Sequence, residues 1–369
     1  MNARRHLNAP KRFVARSARG FTLIEILVAL ALGVLILLAL TILFSRNTSN
    51  HAELERTTRQ IESARFSIDV MAEDLMHAGF YGEFDPDTLT AAPSPPAPPA
   101  ERYAVPAAYQ RPDPCAIAPT AQGWTTHDLP PPPDDRIQIP VPVQGIAAGA
   151  AVGCLANRVA GTEAIVVRHA ETGAPTTLAA GNSNNLYIQI ARCGLDVPRV
   201  RAAAVPSGML NLRLFDCVTV NDVLRRLTQR SYYIADCNDC LANDGIPTLK
   251  RVEMIDGALR TMSVAEGVEN LQVEYGVDTD GDGHPDDFLT TAGVEALPLN
   301  LPVVNDQWQY VVSVRLHLLT RSTQPTAGFS DTRTYQLGLG VAIVPPADGN
   351  KRTLMTTTVR LVNVGGRRE

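Results

Sequence analysis

Arg19-Gly20-Phe21-Thr22-Leu23-Ile24-Glu25-Ile26-Leu27-Val28-Ala29-Leu30 opens an apolar run that continues to Phe44, and its reading decides the fold. At the α-helical rise, residues 21–44 span roughly 36 Å, against a hydrocarbon core of about 30 Å. The preceding residues carry Arg4, Arg5, Lys11, Arg12, Arg16 and Arg19 and no acid. A basic flank stays on the cytoplasmic side, which sends everything after Phe44 across the membrane. In a cell with two membranes that is the periplasm.

Three readings of this segment compete. A cleaved secretory signal has a shorter apolar core followed by a small-x-small site, and Phe44-Ser45-Arg46-Asn47 offers none. A plain signal anchor fits the length but leaves Glu25 unexplained, because an unpaired carboxylate inside a membrane helix costs roughly 2–3 kcal/mol or more. The third reading accounts for both length and carboxylate. Arg19-Gly20-Phe21-Thr22-Leu23-Ile24-Glu25 resembles the class III leader of type IV prepilins. The resemblance implies that a prepilin peptidase cuts between Gly20 and Phe21, that Phe21 is then N-methylated, and that the apolar helix is retained. It further implies that Glu25 pairs with the terminal amine of a neighbouring subunit, which removes most of the burial cost of both charges. Many major pilins carry a helix-bending proline where this chain has Ile42; here the segment holds Gly33 and no proline.

Beyond the membrane run, Leu54, Ile61, Ile68 and Leu75 recur every seven residues, with Thr58, Ala64, Met71 and Ala72 between them. This spacing predicts one apolar stripe on a helix running from about 22 to 77 and ending near Gly79. The expected organisation is a leader (1–20), a membrane and assembly helix (21–44), an amphipathic helix (45–80) and a head (81–369). Ser63 to Gly82, with its Ala78-Gly79-Phe80-Tyr81-Gly82 ending, resembles a segment of PilW-type minor pilins. That family often has a cysteine soon afterwards, where this chain has Glu83-Phe84. Segments around 230–235, 249–253, 268–276 and 353–363 also resemble that family.

The chain has 369 residues, a net charge of −5, 27 prolines and 26 glycines. The charge gives no basic excess for nucleic acid, and the prolines and glycines point to many turns. Residues 91–100 and 129–133 are proline runs that form neither helix nor ladder; surface loops are preferred over proline-rich ligand motifs. Strands are expected at 135–143, Ala164–His169, Leu186–Arg192, Leu212–Val220, Ser231–Ala235, Leu249–Ile255, Val268–Val277, Gln307–Thr320, Thr332–Leu339 and Leu354–Val362. Tyr310, Val312, Val314, Leu316 and Leu318 are placed on one face. The fold class is therefore α+β, a long helix packed on a mostly antiparallel sheet.

Cys115, Cys154, Cys193, Cys217, Cys237 and Cys240 permit fifteen pairings. Outside the cytoplasm they are expected as disulfides, Cys115–Cys154 and Cys193–Cys217 among them. For Cys237-Asn238-Asp239-Cys240 a loop-closing bridge is preferred over a redox motif, which lacks a thioredoxin-like context, and over a zinc half-site, which lacks nearby ligands.

Asp278-Thr279-Asp280-Gly281-Asp282-Gly283-His284-Pro285-Asp286-Asp287 follows the strand ending at Val277. Carboxylates at positions 1, 3 and 5 and glycine at 6 match the first half of an EF-hand-like loop. His284 would lend its carbonyl, and Asp286 or Asp287 would complete the shell, since position 12 is Leu289 rather than glutamate. The expected ion is Ca²⁺, held weakly at about 10⁻⁵–10⁻³ M; the alternative is a solvated acidic turn.

No Gly-x-Ser-x-Gly elbow, His-Glu-x-x-His pair or phosphate-binding glycine loop is present, so no enzymatic activity is expected. The resemblance implies a minor pilin that helps initiate a type IV pilus, supporting twitching motility and attachment. The implied partners are the prepilin peptidase, other minor pilins, the major pilin, the inner-membrane assembly platform and membrane lipid. Two rivals share the leader: a minor pseudopilin of type II secretion and a calcium-dependent adhesin.

Overall fold

The computed structural model describes residues 20–83, 111–118, 121–124, 139–196, 200–298 and 306–366. The leader up to Arg19 and both proline runs lie outside the described residues. The chain divides into two compact units, residues 1–55 and 56–369. One α-helix, α1 (Leu23–His77), supplies most of the first and opens the second. Leucine, isoleucine and alanine favour it through the membrane stretch. Its end is set by Gly79, whose φ of +75° suits the left-handed position past a helix terminus. The Asn363 side chain donates to the otherwise open Met76 and Ala78 carbonyls at 3.1 and 3.4 Å.

The second unit buries Ala64, Met71 and Leu75 of the expected stripe and packs Ile68 and Ala72 against the same core, but the buried face lies to one side of that stripe. Leu54 and Ile61 are exposed. The buried seam is Gln60, Ala64, Ser67, Met71, Asp74, Leu75 and Ala78. Three of these are polar, and each is satisfied inside. Gln60 Nε2 donates to the Thr320 and Lys351 carbonyls at 3.0 and 3.1 Å. Ser67 Oγ donates to the Ser63 carbonyl at 2.7 Å, and Asp74 accepts from Arg230 and Tyr232. A hydrophobic criterion misses such a seam because its polar members are buried with partners.

Among the described residues thirteen strands follow: β1 (Val143–Ile146), β2 (Ala164–Ala170), β3 (Leu186–Ile190), β4 (Val200–Ala204), β5 (Arg225–Ala235), β6 (Thr248–Ile255), β7 (Ala258–Glu266), β8 (Val268–Val277), β9 (Asp287–Leu289), β10 (Val311–Arg321), β11 (Tyr335–Gln336), β12 (Ala342–Ile343) and β13 (Arg352–Arg360). Two short helices, α2 (Thr291–Glu295) and α3 (Val362–Gly365), accompany them. All pairings are antiparallel. β5 organises a seven-stranded sheet, pairing with β2, β3 and β6; β13-β10-β8-β9 form a second, four-stranded sheet. Met71, Leu75 and Ala78 of α1 share one core with Ile165, Tyr232 and Ile234 of the first sheet and Leu271, Tyr275 and Leu316 of the second. The class is α+β, with two large sheets and a small β11–β12 pair among the described residues where one sheet was expected.

Several expected strands move. Pro140 and Pro142 cannot donate to a ladder, so the 135–143 strand begins only at Val143, with 135–138 outside the described residues. Leu212–Val220 forms no strand beyond an Arg213–Val220 bridge. Asp216 Oδ1 caps the Val218 and Thr219 amides, and Cys217 takes a φ of +54°, making a turn. Gln307–Tyr310 winds as a 3₁₀ turn capped by Asp306, leaving Tyr310 ahead of β10 rather than within it. Thr332–Leu339 contracts to β11. β4 and β7 were not expected; β7 is mostly exposed and polar, and its signal was the Asp256-Gly257 turn, with φ of +52° and +79°.

Candidate functional site

The amino end of α1 is built by a short capping motif. Glu25 N donates to Thr22 Oγ1 at 3.3 Å, while Glu25 Oε2 lies 3.5 Å from both Thr22 N and Thr22 Oγ1. Thr22 at the N-cap and Glu25 three residues on form a reciprocal capping box, which supplies acceptors for amides that the helix cannot satisfy itself. Phe21 and Ile26 occupy the staple positions flanking the box, and both line one hollow with Glu25, Ala29 and Leu30. Gly20 and Phe21 are exposed, as is the whole apolar run to Phe44. Its length and hydropathy suffice to cross a membrane. Glu25 thus does two things: it caps its own helix, and it puts a carboxylate on an exposed apolar surface. The first escaped the reading of the sequence, although Thr22-Leu23-Ile24-Glu25 carries the Thr-x-x-Glu pattern.

The acidic loop leaves the end of β8. Asp278 is buried; its Oδ1 accepts from Gly281 N at 2.6 Å and its Oδ2 from Gly283 N at 3.0 Å. Both glycines take φ near +85°, which brings their amides inward over the carboxylate. Asp286 Oδ2 accepts Thr279 N at 2.7 Å and Thr279 Oγ1 at 2.6 Å, and these bonds hold its carboxyl below the usual range. Oxygens of Asp278, Asp280 and Asp286 lie within 4.8 Å of one another. Asp282 turns instead to the His284 amide at 2.8 Å, and Asp287 accepts the Phe288 amide at the start of β9. Three of the five expected carboxylates therefore converge. An all-oxygen set of this kind fits a hard divalent cation with flexible coordination, as Ca²⁺ has.

The seam between α1 and the first sheet carries a cluster of charged groups around Asp74. Asp74 accepts from Arg230 and Tyr232 of β5, and His169 Nε2 lies 3.7 Å from its Oδ1. Burial alone would raise the Asp74 pKa; His169, the Arg230 charge and the Tyr232 hydroxyl outweigh it and hold the carboxyl low. Arg230 also reaches Glu253 at 3.1 Å. This network fixes the helix on the sheet.

The cysteines pair as Cys115–Cys154, Cys193–Cys217 and Cys237–Cys240. The first two tie loops of the first sheet's periphery; the third closes a four-residue ring after β5.

Residues 15–41 match the family model of the prokaryotic N-terminal methylation motif, which spans Gly20, Phe21 and Glu25. Residues 231–363 match the family model of type IV pilus-assembly protein W, which runs from β5 to α3. The Ser63–Gly82 segment lies outside both matches. No curated protein matches the chain. Among solved structures, a type IV-like pilin from Thermus thermophilus is similar at 12% identity, covering 55% of this chain and 80% of that one, with a TM-score of 0.24. A methylation motif at the head of a lipid-length helix, together with a carboxy-terminal region that matches the type IV pilus-assembly protein W model, makes the chain similar at both ends to type IV pilus proteins.

Proposed function

We propose that this protein is a minor pilin that helps initiate a type IV pilus and takes its place at or near the tip of the fibre. In this reading a prepilin peptidase removes residues 1–20 on the cytoplasmic side, Phe21 is N-methylated, and the head lies in the periplasm until the assembly platform draws the subunit out. The role is structural rather than catalytic. The observation that carries it is Glu25: a carboxylate on the exposed, apolar surface of α1, with no cationic partner among the described residues of its own chain. The amine of a neighbouring, processed pilin supplies the missing charge. Leu54, Ile61, Phe66 and Met76, exposed along the same helix, extend the surface available to neighbouring subunits.

We further propose that Asp278, Asp280 and Asp286 hold Ca²⁺, with waters or backbone carbonyls filling the remaining positions. The ion would neutralise three like charges and fasten the loop to the end of β8.

The test is a deletion strain complemented with wild-type or Glu25→Ala chain and scored for surface pili, twitching and protein secretion. Loss of pili on deletion, restored by wild type but not by Glu25→Ala, supports the reading. Intact pili with failed secretion would replace it by the pseudopilin reading. Intact pili with poor attachment would replace it by the adhesin reading.

A further inference from the structure

Lys250 of β6 is buried, and its ammonium ends on two groups: the Asn238 carbonyl at 3.1 Å and Cys240 Sγ at 3.0 Å. A disulfide sulfur is an uncharged and weak acceptor, so this contact returns little for the desolvation of a buried cation. A thiolate at the same position would form a short ion pair with it. Lys250 therefore favours the reduced state of this cystine over the oxidised one. The other two differ. Backbone amides reach Cys115 Sγ at 3.0 Å and Cys193 Sγ at 3.3 Å, and the Arg213 guanidinium reaches the Cys217 carbonyl, but among the described residues no ammonium or guanidinium hydrogen-bonds a sulfur of either cystine.

Access does not separate the three cystines, since Cys115, Cys154, Cys217 and Cys240 are all half-buried, but it decides which sulfur of this one is attacked. Cys237 is buried at 3% exposure, whereas Cys240 is half-buried and precedes the fully exposed Leu241. The ring is also wired to α1. Asn238 Nδ2 donates to Glu266 Oε1 at 2.6 Å, and the Glu266 carbonyl accepts Ser63 Oγ of α1 at 2.6 Å.

We propose that Cys237–Cys240 is a thiol-exchange site, the cystine of the head that a dithiol reductant opens first, with Lys250 stabilising the Cys240 thiolate. A thiolate of the reductant attacks Cys240 Sγ; the Cys237–Cys240 bond breaks, and Cys237 leaves as a thiolate and takes a proton. The reductant's second thiolate then attacks its own sulfur in the mixed disulfide, and Cys240 leaves as a thiolate beside Lys250. Two electrons pass from the dithiol, which ends as a disulfide, to the cystine, which ends as two thiols. Opening the ring loosens Asn238 from Glu266, and so one anchor of α1 on the sheet. Asp236, Cys237 and Cys240 also cluster within 4.8 Å, as a metal site would, but the ammonium at one sulfur opposes a bound cation.

The full chain in detergent micelles is equilibrated with graded ratios of reduced to oxidised dithiothreitol. Thiols are trapped by differential alkylation, and the three cystines are quantified separately by peptide mass spectrometry. Cys237–Cys240 is expected to open at a ratio about tenfold lower than either other cystine. Cys240 is expected to alkylate with a midpoint below the free-thiol value of about 8.5, and below that of Cys237. Lys250→Gln, with the head's fold checked by circular dichroism, is expected to raise the required ratio about tenfold. Three cystines opening together, or a Cys240 midpoint at or above about 8.5, would overturn the proposal from the wild-type chain alone. A folded Lys250→Gln chain with an unchanged ratio would overturn it too.

Discussion

The Asp74 carboxylate of α1 accepts the Arg230 guanidinium of β5 across the helix–sheet seam, with the Tyr232 hydroxyl on its other oxygen. Asp74→Ala leaves a half-buried cation and a buried hydroxyl without their partner. Arg230 keeps Glu253, so the expected loss is about 3 kcal/mol, the lower end for a broken buried pair. Thermal unfolding of the head measures it, and an unchanged midpoint would remove the structural role assigned to the seam. The pH dependence follows from the sign of the shift. A carboxyl whose folded pKa is depressed contributes stability above its unfolded value of about 3.8. That contribution disappears as pH falls through the folded value. The stability gap between wild type and Asp74→Asn is therefore expected to be full above pH 4 and to shrink below it.

Gly145 of β1 packs where no side chain fits. A Cβ there would lie 2.5 Å from Trp308 Cη2, 2.6 Å from Tyr275 Oη and 2.9 Å from Thr291 Oγ1. Tyr275 and Trp308 meet edge to face at 4.7 Å, so neither ring yields without breaking that contact. Gly145→Ala is expected to destabilise the head by about 1–3 kcal/mol through overpacking. Denaturant titration reads the loss; a variant as stable as wild type would show that β1 shifts to make room.

Calcium is expected to raise the melting midpoint of the head. At a hundred times the dissociation constant, a site that exists only in the folded state adds about 2.7 kcal/mol, a rise of roughly 5–10 °C. Asp280→Asn is the informative variant, because Asp280 accepts only the Asp282 amide within the loop and its loss leaves the fold intact. It is expected to erase the rise. Magnesium, which demands tighter geometry and dehydrates reluctantly, is expected to give much less. An equal rise with magnesium, or an undiminished one in Asp280→Asn, would leave only a screened acidic turn.

What the sequence made legible, and what it hid, divides along a physical line. The span of α1 and strands such as β2, β6 and β8 could be read because their apolar residues are contiguous or periodic and their ends carry glycine, proline or aspartate. The buried face of α1 could be read only in part, at Ala64, Met71 and Leu75. Gln60, Ser67 and Asp74 look solvent-facing by composition, and only the distant carbonyls and cations they meet make them interior. β7 stayed hidden because its outward residues are polar, and its evidence was the Asp256-Gly257 turn. In the acidic loop the spacing located the carboxylates. Which of them converge depended on the backbone: Asp282 and Asp287 spend their oxygens on neighbouring amides, a choice that spacing does not encode. Lys250 beside Cys240 is the same kind of fact, since the strand register of β5 and β6 brings them together.

Glu25 caps α1 through Thr22 and also exposes a charge to lipid, and two substitutions separate these roles. Glutamine serves the capping-box position as well as glutamate does, so Glu25→Gln keeps the cap and removes the charge. Thr22→Val removes the side-chain acceptor for Glu25 N and keeps the charge, at a cost of about 1 kcal/mol in helix start stability. If the carboxylate works by pairing with another subunit's amine, Glu25→Gln abolishes surface pili while Thr22→Val leaves them near wild-type number. Both chains are expected in the membrane fraction at their processed mass, which immunoblotting and mass spectrometry check. The reverse pattern, pili with Glu25→Gln and none with Thr22→Val, would show that the helix cap is what assembly needs, and the inter-subunit pairing would fall.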